Sequence, residues 1–307
     1  MSMQPEVVEI RSGRLVLGVA PAACGAITRF GVDAPGRTVD VLRPASAEAI
    51  AARNPLGMSC FPLVPFSNRI RNGRFTFRGR TVTLPPNFPP EPHNIHGQGW
   101  RAAWTVVDHA DTHLTIEYRH AAGDWPFAYR ARQHYGLSGD RLDVTITVTN
   151  EALEAMPVGF GLHPYFVRTP RTRLRARVRQ FWKEDDDSMP TELVPVLDTI
   201  PLATGLNPDA VALDTNFLGF GGTAHIEWPE HDARLRLVTD GPFGCLVVYT
   251  PPGQPFFCVE PATNCIDAFN LAAAGRADTG MLVLDAGATV SGTVRFLPAV
   301  GTGRASR

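Results

Sequence analysis

The chain has 307 residues, and its 29 basic and 30 acidic side chains leave a formal net charge of −1. This balance gives no general attraction to nucleic acid or to an anionic membrane surface. Lys183 is the only lysine and precedes the acidic run 184–187, so it is a poor candidate for Schiff-base chemistry, which needs a desolvated amine.

Alternation of apolar and polar residues predicts paired β-strands along most of the chain, with 28 glycines and 27 prolines supplying the turns. We predict a strand at 14–19 and hairpins at 74–84, 104–118, 129–149, 234–249 and 281–296. Short helices are predicted at 46–53, with Ser46 as N-cap, and at 268–276. The sequence therefore predicts an all-β protein, one large antiparallel β-sandwich with few short helices, in a single domain spanning residues 1–307.

Hydrophobic residues make up 44% of the chain, which is typical of a globular protein with a real core. No stretch approaches the length of a membrane span, and the first ten residues have no apolar signal core. The five cysteines are odd in number and have no CxxC spacing. We therefore expect reduced thiols in a cytoplasmic protein.

Four polar segments lie in apolar or Gly/Pro-rich surroundings, and they are the candidates for chemistry: 61–75, 93–100, 158–166 and 256–264. The second belongs to a long irregular stretch, 84–99, whose prolines exclude a central strand. A long ordered loop in a compact domain is often functional. No Walker-type phosphate loop and no GxSxG motif occurs, so kinase and serine hydrolase functions have no support.

Glu260 and His163 are the sharpest candidates for proton transfer. Glu260 ends an apolar strand, and desolvation there would raise its pKa toward the range useful to a general base; a structural carboxylate is an equally good interpretation. His163 lies among glycines and aromatic residues, where it is either a structural histidine or a proton donor and acceptor at neutral pH.

Two further segments offer groups that could bind a ligand. His93 and His96 form an HxxH pattern, which is weak evidence for a metal, and a tight turn that presents His96 as a hydrogen-bond donor is the simpler interpretation. Arg69 follows an apolar run, where it either pairs with a buried carboxylate or offers a fork of donors to sugar hydroxyls or an anion. We expect Arg71 and Arg74 to be exposed.

Together these segments resemble the aldose 1-epimerase (galactose mutarotase) family, in particular its bacterial mutarotase-like subgroup. The matching pieces are Asn68-Arg69-Ile70 with Gly73-Arg74-Phe75, Asn94-Ile95-His96-Gly97, Gly161-Leu162-His163-Pro164-Tyr165-Phe166, and Glu260-Pro261 with Asn264. The family fold is a large antiparallel β-sandwich. Gln98 stands where better-known members commonly have a second glycine, so a preference for galactose or glucose does not carry over.

The resemblance implies that Glu260 is the catalytic base, which takes the proton from the C1 hydroxyl, and that His163 is the acid, which protonates the ring oxygen. It implies that Arg69, His96 and Asp214 bind the sugar, Asp214 being the weakest match, while Trp100 or Tyr165 could cover the apolar face of the sugar.

We therefore expect an isomerase that interconverts the anomers of a free aldose, with no cofactor and no metal. Nucleic acid and membrane are not expected as partners, and the protein is expected to be a monomer or homodimer. A sugar-phosphate mutarotase and a non-catalytic carbohydrate-binding protein are the alternatives.

Overall fold

The computed structural model describes residues 6–301, which form two large antiparallel sheets. One sheet has 11 strands and the other has 8, and three two-stranded ribbons accompany them. The all-β antiparallel prediction is confirmed, because every pairing between the named strands in residues 6–301 is antiparallel.

The strands follow one another through short turns, as the glycine and proline content predicts. In chain order they are β1 (Val8–Ser12), β2 (Leu15–Ala20), β3 (Ala26–Ala34), β4 (Arg37–Asp40), β5 (Cys60–Leu63), β6 (Arg69–Ile70), β7 (Arg74–Phe77), β8 (Arg80–Thr83), β9 (Asn94–Ile95), β10 (Thr105–Ala110), β11 (His113–His120), β12 (Tyr129–Ser138) and β13 (Arg141–Asn150). The remaining strands are β14 (Met156–Val158), β15 (Gly161–Val167), β16 (Arg173–Ala176), β17 (Gln180–Glu184), β18 (Pro190–Pro195), β19 (Asp214–Leu218), β20 (Thr223–Trp228), β21 (Ala233–Asp240), β22 (Cys245–Tyr249), β23 (Phe256–Ala262), β24 (Leu282–Leu284) and β25 (Thr289–Val300).

The helices are short. Helix α1 (Ala47–Ala51) begins after Ser46, whose hydroxyl accepts a hydrogen bond from the Ala49 amide, so the predicted N-cap is confirmed. Helix α2 (Ala268–Ala273) is the second predicted helix. Neither helix reaches the roughly 20 residues that a bilayer requires, and no other helix of residues 6–301 does.

The two large sheets pack face to face around one extended apolar core. The 11-stranded sheet has the order β1-β2-β3-β5-β15-β23-β22-β19-β17-β18, with β4 beside β3, and the 8-stranded sheet has the order β10-β11-β12-β13-β25-β21-β20-β16. Phe296 of β25 joins them, because its ring centroid lies 6.1 Å from that of Phe30 on β3 and 6.4 Å from that of Phe166 on β15. Such aromatic contacts make the sandwich one packed unit.

The opposite face of the 11-stranded sheet carries a second buried cluster. Side chains alternate along each strand, so Phe257 and Val259 of β23 enter the core between the sheets, whereas Cys258 points to the other face with Phe61 and Tyr165. Because central strands of this sheet are buried on both faces, they are nearly continuous in apolar residues. A carboxylate such as Glu260 is conspicuous in this setting.

The hairpins at 74–84, 104–118 and 129–149 are confirmed, as pairs of consecutive strands joined by short turns. Two predicted hairpins are wrong. At 234–249, β21 pairs with β20 and β25, while β22 lies in the other sheet, so the intervening turn crosses between sheets. At 281–296, β24 pairs with β14, and β25 pairs with β13 and β21.

Candidate active site

The register of the 11-stranded sheet places His163 directly opposite Glu260. Gly161 pairs with Ala262 and Tyr165 with Cys258, so the residues midway between them face each other across β15 and β23. His163 Nε2 lies 3.3 Å from Glu260 Oε1. Two groups that are 97 positions apart in the chain therefore meet because of sheet pairing alone.

Burial controls the ionisation of this pair. The His163 ring packs against the rings of Phe61 and Tyr165, with centroids 4.5 and 4.7 Å away, and desolvation lowers its pKa to about 3. Desolvation also raises the pKa of the Glu260 carboxyl well above its ordinary value, and the neighbouring Asp214 carboxylate raises it further. Both shifts favour a pair without net charge, in which one proton is shared between imidazole and carboxyl.

A two-stranded ribbon, β6 with β9, presents Arg69 and His96 to the same pocket. Asn68 and His96 flank this ribbon, and both have a left-handed backbone, with φ of 63° and 60°. The Asn68 amide donates to His96 Nδ1 at 3.0 Å, and the His96 amide donates to the Asn68 carbonyl at 3.0 Å.

Since Nδ1 of His96 accepts a hydrogen bond, the proton of its neutral ring is on Nε2. Burial holds the His96 pKa well below its ordinary value, so the ring is a neutral donor. The presentation of His96 as a hydrogen-bond donor, predicted from the sequence, agrees with this geometry. The HxxH metal hypothesis does not, because His93 Nδ1 accepts from the Asn72 amide and its Nε2 contacts the Asp187 carbonyl.

Arg69 combines the two interpretations that the sequence left open. Its Nε donates to Glu91 Oε2 at 3.4 Å, and its side chain is only 15% exposed. Its Nη atoms have no hydrogen-bond partner among residues 6–301 and line the pocket with the rest of the side chain. The carboxylate thus orients the guanidinium, which keeps donors for a ligand.

Acidic groups cluster on the other side of Arg69. Asp214, at the start of β19, lines the pocket; desolvation raises its pKa, while Arg69 lowers it. Extending the pairing of β17 with β19 places Glu184 beside Asp214, and burial together with the Asp214 charge raises the Glu184 pKa to about 7. From the sequence, Glu184 was only one member of an acidic run.

The pocket has a volume of about 270 Å³ and divides into polar and aromatic parts. Its polar residues are Asn68, Arg69, His96, His163, Asp214 and Glu260. Its aromatic residues are Phe61, Phe88, Trp100, Tyr165, Tyr249 and Phe256. A few polar groups converging in an apolar cavity are characteristic of a small-molecule site.

All five site residues predicted from the sequence, Arg69, His96, His163, Asp214 and Glu260, therefore line one pocket. Trp100 and Tyr165 line it as well, and the Trp100 indole N–H donates to the Gly97 carbonyl, so its ring packs rather than binds polar groups. Sequence reasoning missed Tyr249, which follows an apolar strand without any neighbouring polar motif. Asn68 was seen in the motif but was given no role.

Several residues of the polar segments lie outside this pocket. Arg71 pairs with Asp185 at 3.3 Å, and Arg74 is exposed, as expected. Gln98 accepts a hydrogen bond from the Tyr129 hydroxyl and is not among the pocket residues, so it does not supply a ligand group there. The Asn264 side chain supports the backbone, because it makes hydrogen bonds of 2.9 Å with both the amide and the carbonyl of Ser67.

Comparison with known proteins identifies a matching family model and two relatives in Escherichia coli. A family model described as aldose 1-epimerase matches residues 8–297. The Escherichia coli protein YphB, whose function is uncharacterised, is 33% identical over 241 residues, which are 75% of this chain and 80% of YphB. An Escherichia coli aldose 1-epimerase is 32% identical over 107 residues, which are 33% of this chain and 30% of that enzyme.

Solved structures agree over nearly the whole chain. A crystal structure from Escherichia coli K12, described provisionally as an aldose 1-epimerase, superposes with a TM-score of 0.87 at 29% identity and covers 96% of this chain and 99% of its own. A galactose mutarotase-like protein from Clostridium acetobutylicum superposes with a TM-score of 0.86 at 20% identity, covering 96% and 95% of the two chains. At 20% identity, the Clostridium acetobutylicum structure shows that the fold is shared.

Proposed function

Because this chain belongs to the aldose 1-epimerase family, we propose that it is an isomerase that interconverts the α and β anomers of a free aldose. The observation that carries the proposal is the 3.3 Å approach of His163 Nε2 to Glu260 Oε1 at a pocket of sugar-binding character. Anomer exchange needs one group to remove a proton and another to supply one, within reach of adjacent oxygen atoms.

The reaction uses the single proton of this pair. In its reactive form His163 is an imidazolium that holds the shared proton on Nε2, and Glu260 is ionised, so the pair has no net charge. Glu260 takes the proton of the C1 hydroxyl while Nε2 gives its proton to the ring oxygen, which breaks the bond from C1 to that oxygen and leaves an open-chain aldehyde. After rotation about the C1–C2 bond, closure on the other face of the aldehyde reverses both transfers and restores the pair.

The rest of the pocket would hold the sugar in place. Arg69 and His96 offer N–H donors to ring hydroxyls, and the Asp214 carboxylate accepts from them. Trp100 and Tyr165 offer aromatic surface to the C–H face of the ring. Positioning the anomeric carbon between the two proton-transfer groups lowers the barrier through proximity.

The charges of the pocket support a free aldose over a sugar phosphate. Arg71 and Arg74 do not line the pocket, so they offer no positive charge to a phosphate there. Asp214 does line it, and a dianionic phosphate beside its carboxylate would be repelled. Arg69 is already paired with Glu91.

Exchange NMR of aldoses tests the proposal directly. The wild-type protein should accelerate anomer equilibration for at least one sugar in a panel of hexoses, pentoses and deoxysugars. Glu260→Gln should lower that rate by about 10²–10⁴-fold, the usual size of a general acid–base contribution. Glu192→Gln, at an exposed carboxyl paired with Lys183, is the matched control and should leave the rate unchanged.

No acceleration with any sugar would contradict the proposal. Calorimetric binding of a sugar without faster anomer exchange would instead indicate a carbohydrate-binding protein. Preference for hexose 6-phosphates over the free sugars would favour the sugar-phosphate alternative. An unchanged thermal midpoint in Glu260→Gln shows that the loss of activity is chemical.

A further inference from the structure

A third side chain with metal-binding chemistry lies beside the proton-transfer pair. Cys258 and Glu260 are two residues apart on β23, so both point to the pocket-bearing face of the sheet. His163 faces them from β15. The ligating atoms of Cys258, Glu260 and His163 all lie within 4.8 Å of one another, and all three residues are buried.

We propose that His163, Cys258 and Glu260 form a reversible, inhibitory Zn²⁺ site. Imidazole nitrogen, thiolate sulfur and carboxylate oxygen are the three ligand types of zinc in proteins, and a site with three protein ligands leaves a fourth position for water. Here that position faces the pocket, because His163 and Glu260 line it.

The distances suit a tetrahedral ion. Zn–N and Zn–O bonds of about 2.0–2.2 Å place tetrahedral nitrogen and oxygen ligands roughly 3.3 Å apart, with sulfur roughly 3.6 Å from each. His163 Nε2 and Glu260 Oε1 are 3.3 Å apart already. All three atoms lie within 4.8 Å of one another, so a shift of the thiol on the order of 1 Å completes the set.

Zn²⁺ binding replaces the protons of the buried thiol and carboxyl, which are released to solvent. A thiolate and a carboxylate in a buried site are costly without a compensating positive charge, and a bound Zn²⁺ supplies it. The sulfur and nitrogen ligands select against Mg²⁺ and Ca²⁺, which take oxygen ligands. The expected occupant is therefore zinc or an ion with similar preferences, such as Co²⁺.

The ion would be an inhibitor and takes no part in the proposed reaction. It would occupy the Nε2 lone pair and the Glu260 oxygen, which are the atoms that move protons. His163 Nδ1 is buried without a hydrogen-bond partner among residues 6–301, so the support that usually orients a zinc-bound histidine is lacking. This indicates reversible binding rather than a permanently occupied site.

Cobalt absorption tests the site without reference to activity. The full chain, freed of metal by a chelator, is titrated with CoCl₂. We expect one Co²⁺ per chain, a thiolate-to-cobalt charge-transfer band in the near ultraviolet, and strong visible absorption typical of four-coordinate Co²⁺. Equimolar ZnCl₂ should displace the cobalt, and excess MgCl₂ should not.

The variants Cys258→Ser and Cys258→Ala should lose the charge-transfer band, with binding weakened by at least about tenfold. Cys245→Ser, at a buried thiol on the neighbouring strand β22, is the control and should keep the band. Absence of the band from the wild type, or its persistence in folded Cys258 variants, would overturn the inference. Circular dichroism identifies any variant that fails to fold, and the wild-type titration decides the inference in that case.

A second experiment measures inhibition by zinc, and it rests on the proposed function. With an accelerated sugar, micromolar ZnCl₂ should slow anomer exchange competitively, and EDTA should restore it. The Cys258 variants should need at least tenfold more zinc for half-inhibition of their own metal-free rate. A cobalt band without any anomer exchange would sustain the metal site and refute the mutarotase, whereas exchange without metal binding or inhibition would refute the metal site alone.

Discussion

Two charged side chains adjust the ionisation of Glu260 in opposite directions. Burial is the main reason why the pKa of Glu260 is raised; the Asp214 carboxylate raises it further, and the Arg69 guanidinium lowers it. Because the reaction uses the proton shared by His163 and Glu260, and the pair loses that proton at the raised pKa, these neighbours should move the basic limb of the pH–rate profile.

We predict that kcat/KM of the wild type falls as pH rises through the raised pKa, because the pair then loses the proton that it must give to the ring oxygen. Asp214→Asn removes a negative neighbour, so its basic limb should move to lower pH. Arg69→Gln removes the positive neighbour, so its limb should move to higher pH. Profiles of kcat/KM from pH 4 to 9 check this, and shifts in the same direction for both variants would contradict it.

Glu184 should make stability depend on pH. Its pKa is raised from 4.5 to about 7 by burial and by Asp214, so the folded state prefers the protonated carboxyl. That contribution to stability is full below pH 4.5 and is lost as pH rises through about 7.

Between pH 5 and pH 8, the free energy of unfolding of the wild type should therefore fall relative to that of Glu184→Gln. We expect a difference on the order of 1–3 kcal/mol, with allowance for partial exposure of the carboxyl. Urea unfolding at both pH values measures it. Parallel pH dependence of the two proteins would show that Glu184 is not buried as described.

Residue types and local context predicted much of the candidate site. Glu260 and His163 stand out because a polar residue within an apolar run is unusual. Glu184 gave no such signal, since its neighbours along the chain are acidic and exposed. Its partner Asp214 lies 30 positions away, and only the pairing of β17 with β19 brings the two carboxyls together.

At the scale of elements, Asn264 joins the end of β23 to the segment that precedes β6. Its Nδ2 donates to the Ser67 carbonyl and its Oδ1 accepts from the Ser67 amide, each at 2.9 Å. These two hydrogen bonds to Ser67 hold the ribbon that carries Arg69 against the strand that carries Glu260.

Asn264→Ala should cost about 2–4 kcal/mol of stability, since it removes three hydrogen bonds to buried backbone groups, two at Ser67 and one at the Cys265 carbonyl. It should also raise KM, because Arg69 is no longer held in place. Asn207→Ala, which removes two exposed hydrogen bonds, one to the Pro170 carbonyl and one from the Asp209 amide, is the control and should cost less than about 1 kcal/mol. Equal destabilisation by both variants in urea unfolding would refute the role of Asn264.

The positions of the predicted strands were correct more often than the predicted pairings between strands. Alternation defines a strand locally, and a tight turn such as 78–79 also defines its neighbour. The turn at 241–244 is also rich in glycine but carries the chain into the other sheet. The buried apolar run of β22 differs from the alternating burial of β21, and this difference is the available clue that they belong to different sheets.

At the scale of the whole molecule, the two sheets depend on one another through aromatic contacts. Phe296 is fully buried and touches the rings of Phe30 and Phe166. Phe296→Ala should lower the free energy of unfolding by about 3–5 kcal/mol, and Phe296→Leu should lower it by less. Urea unfolding followed by tryptophan fluorescence and circular dichroism measures both; a loss below about 1 kcal/mol in the alanine variant would contradict this.

The order in which the ribosome makes the strands of the pocket-bearing sheet determines when the reaction centre can assemble. A row of residues across this sheet runs from Phe61 on β5 through His163 on β15 to Glu260 on β23, so no shorter N-terminal part of the chain contains the reaction centre. At about 5–20 residues per second, a ribosome needs roughly 10–40 s between adding Phe61 and adding Glu260. Once β15 has been made, its edge lacks the neighbouring strand β23, and this apolar edge must be shielded until β23 arrives.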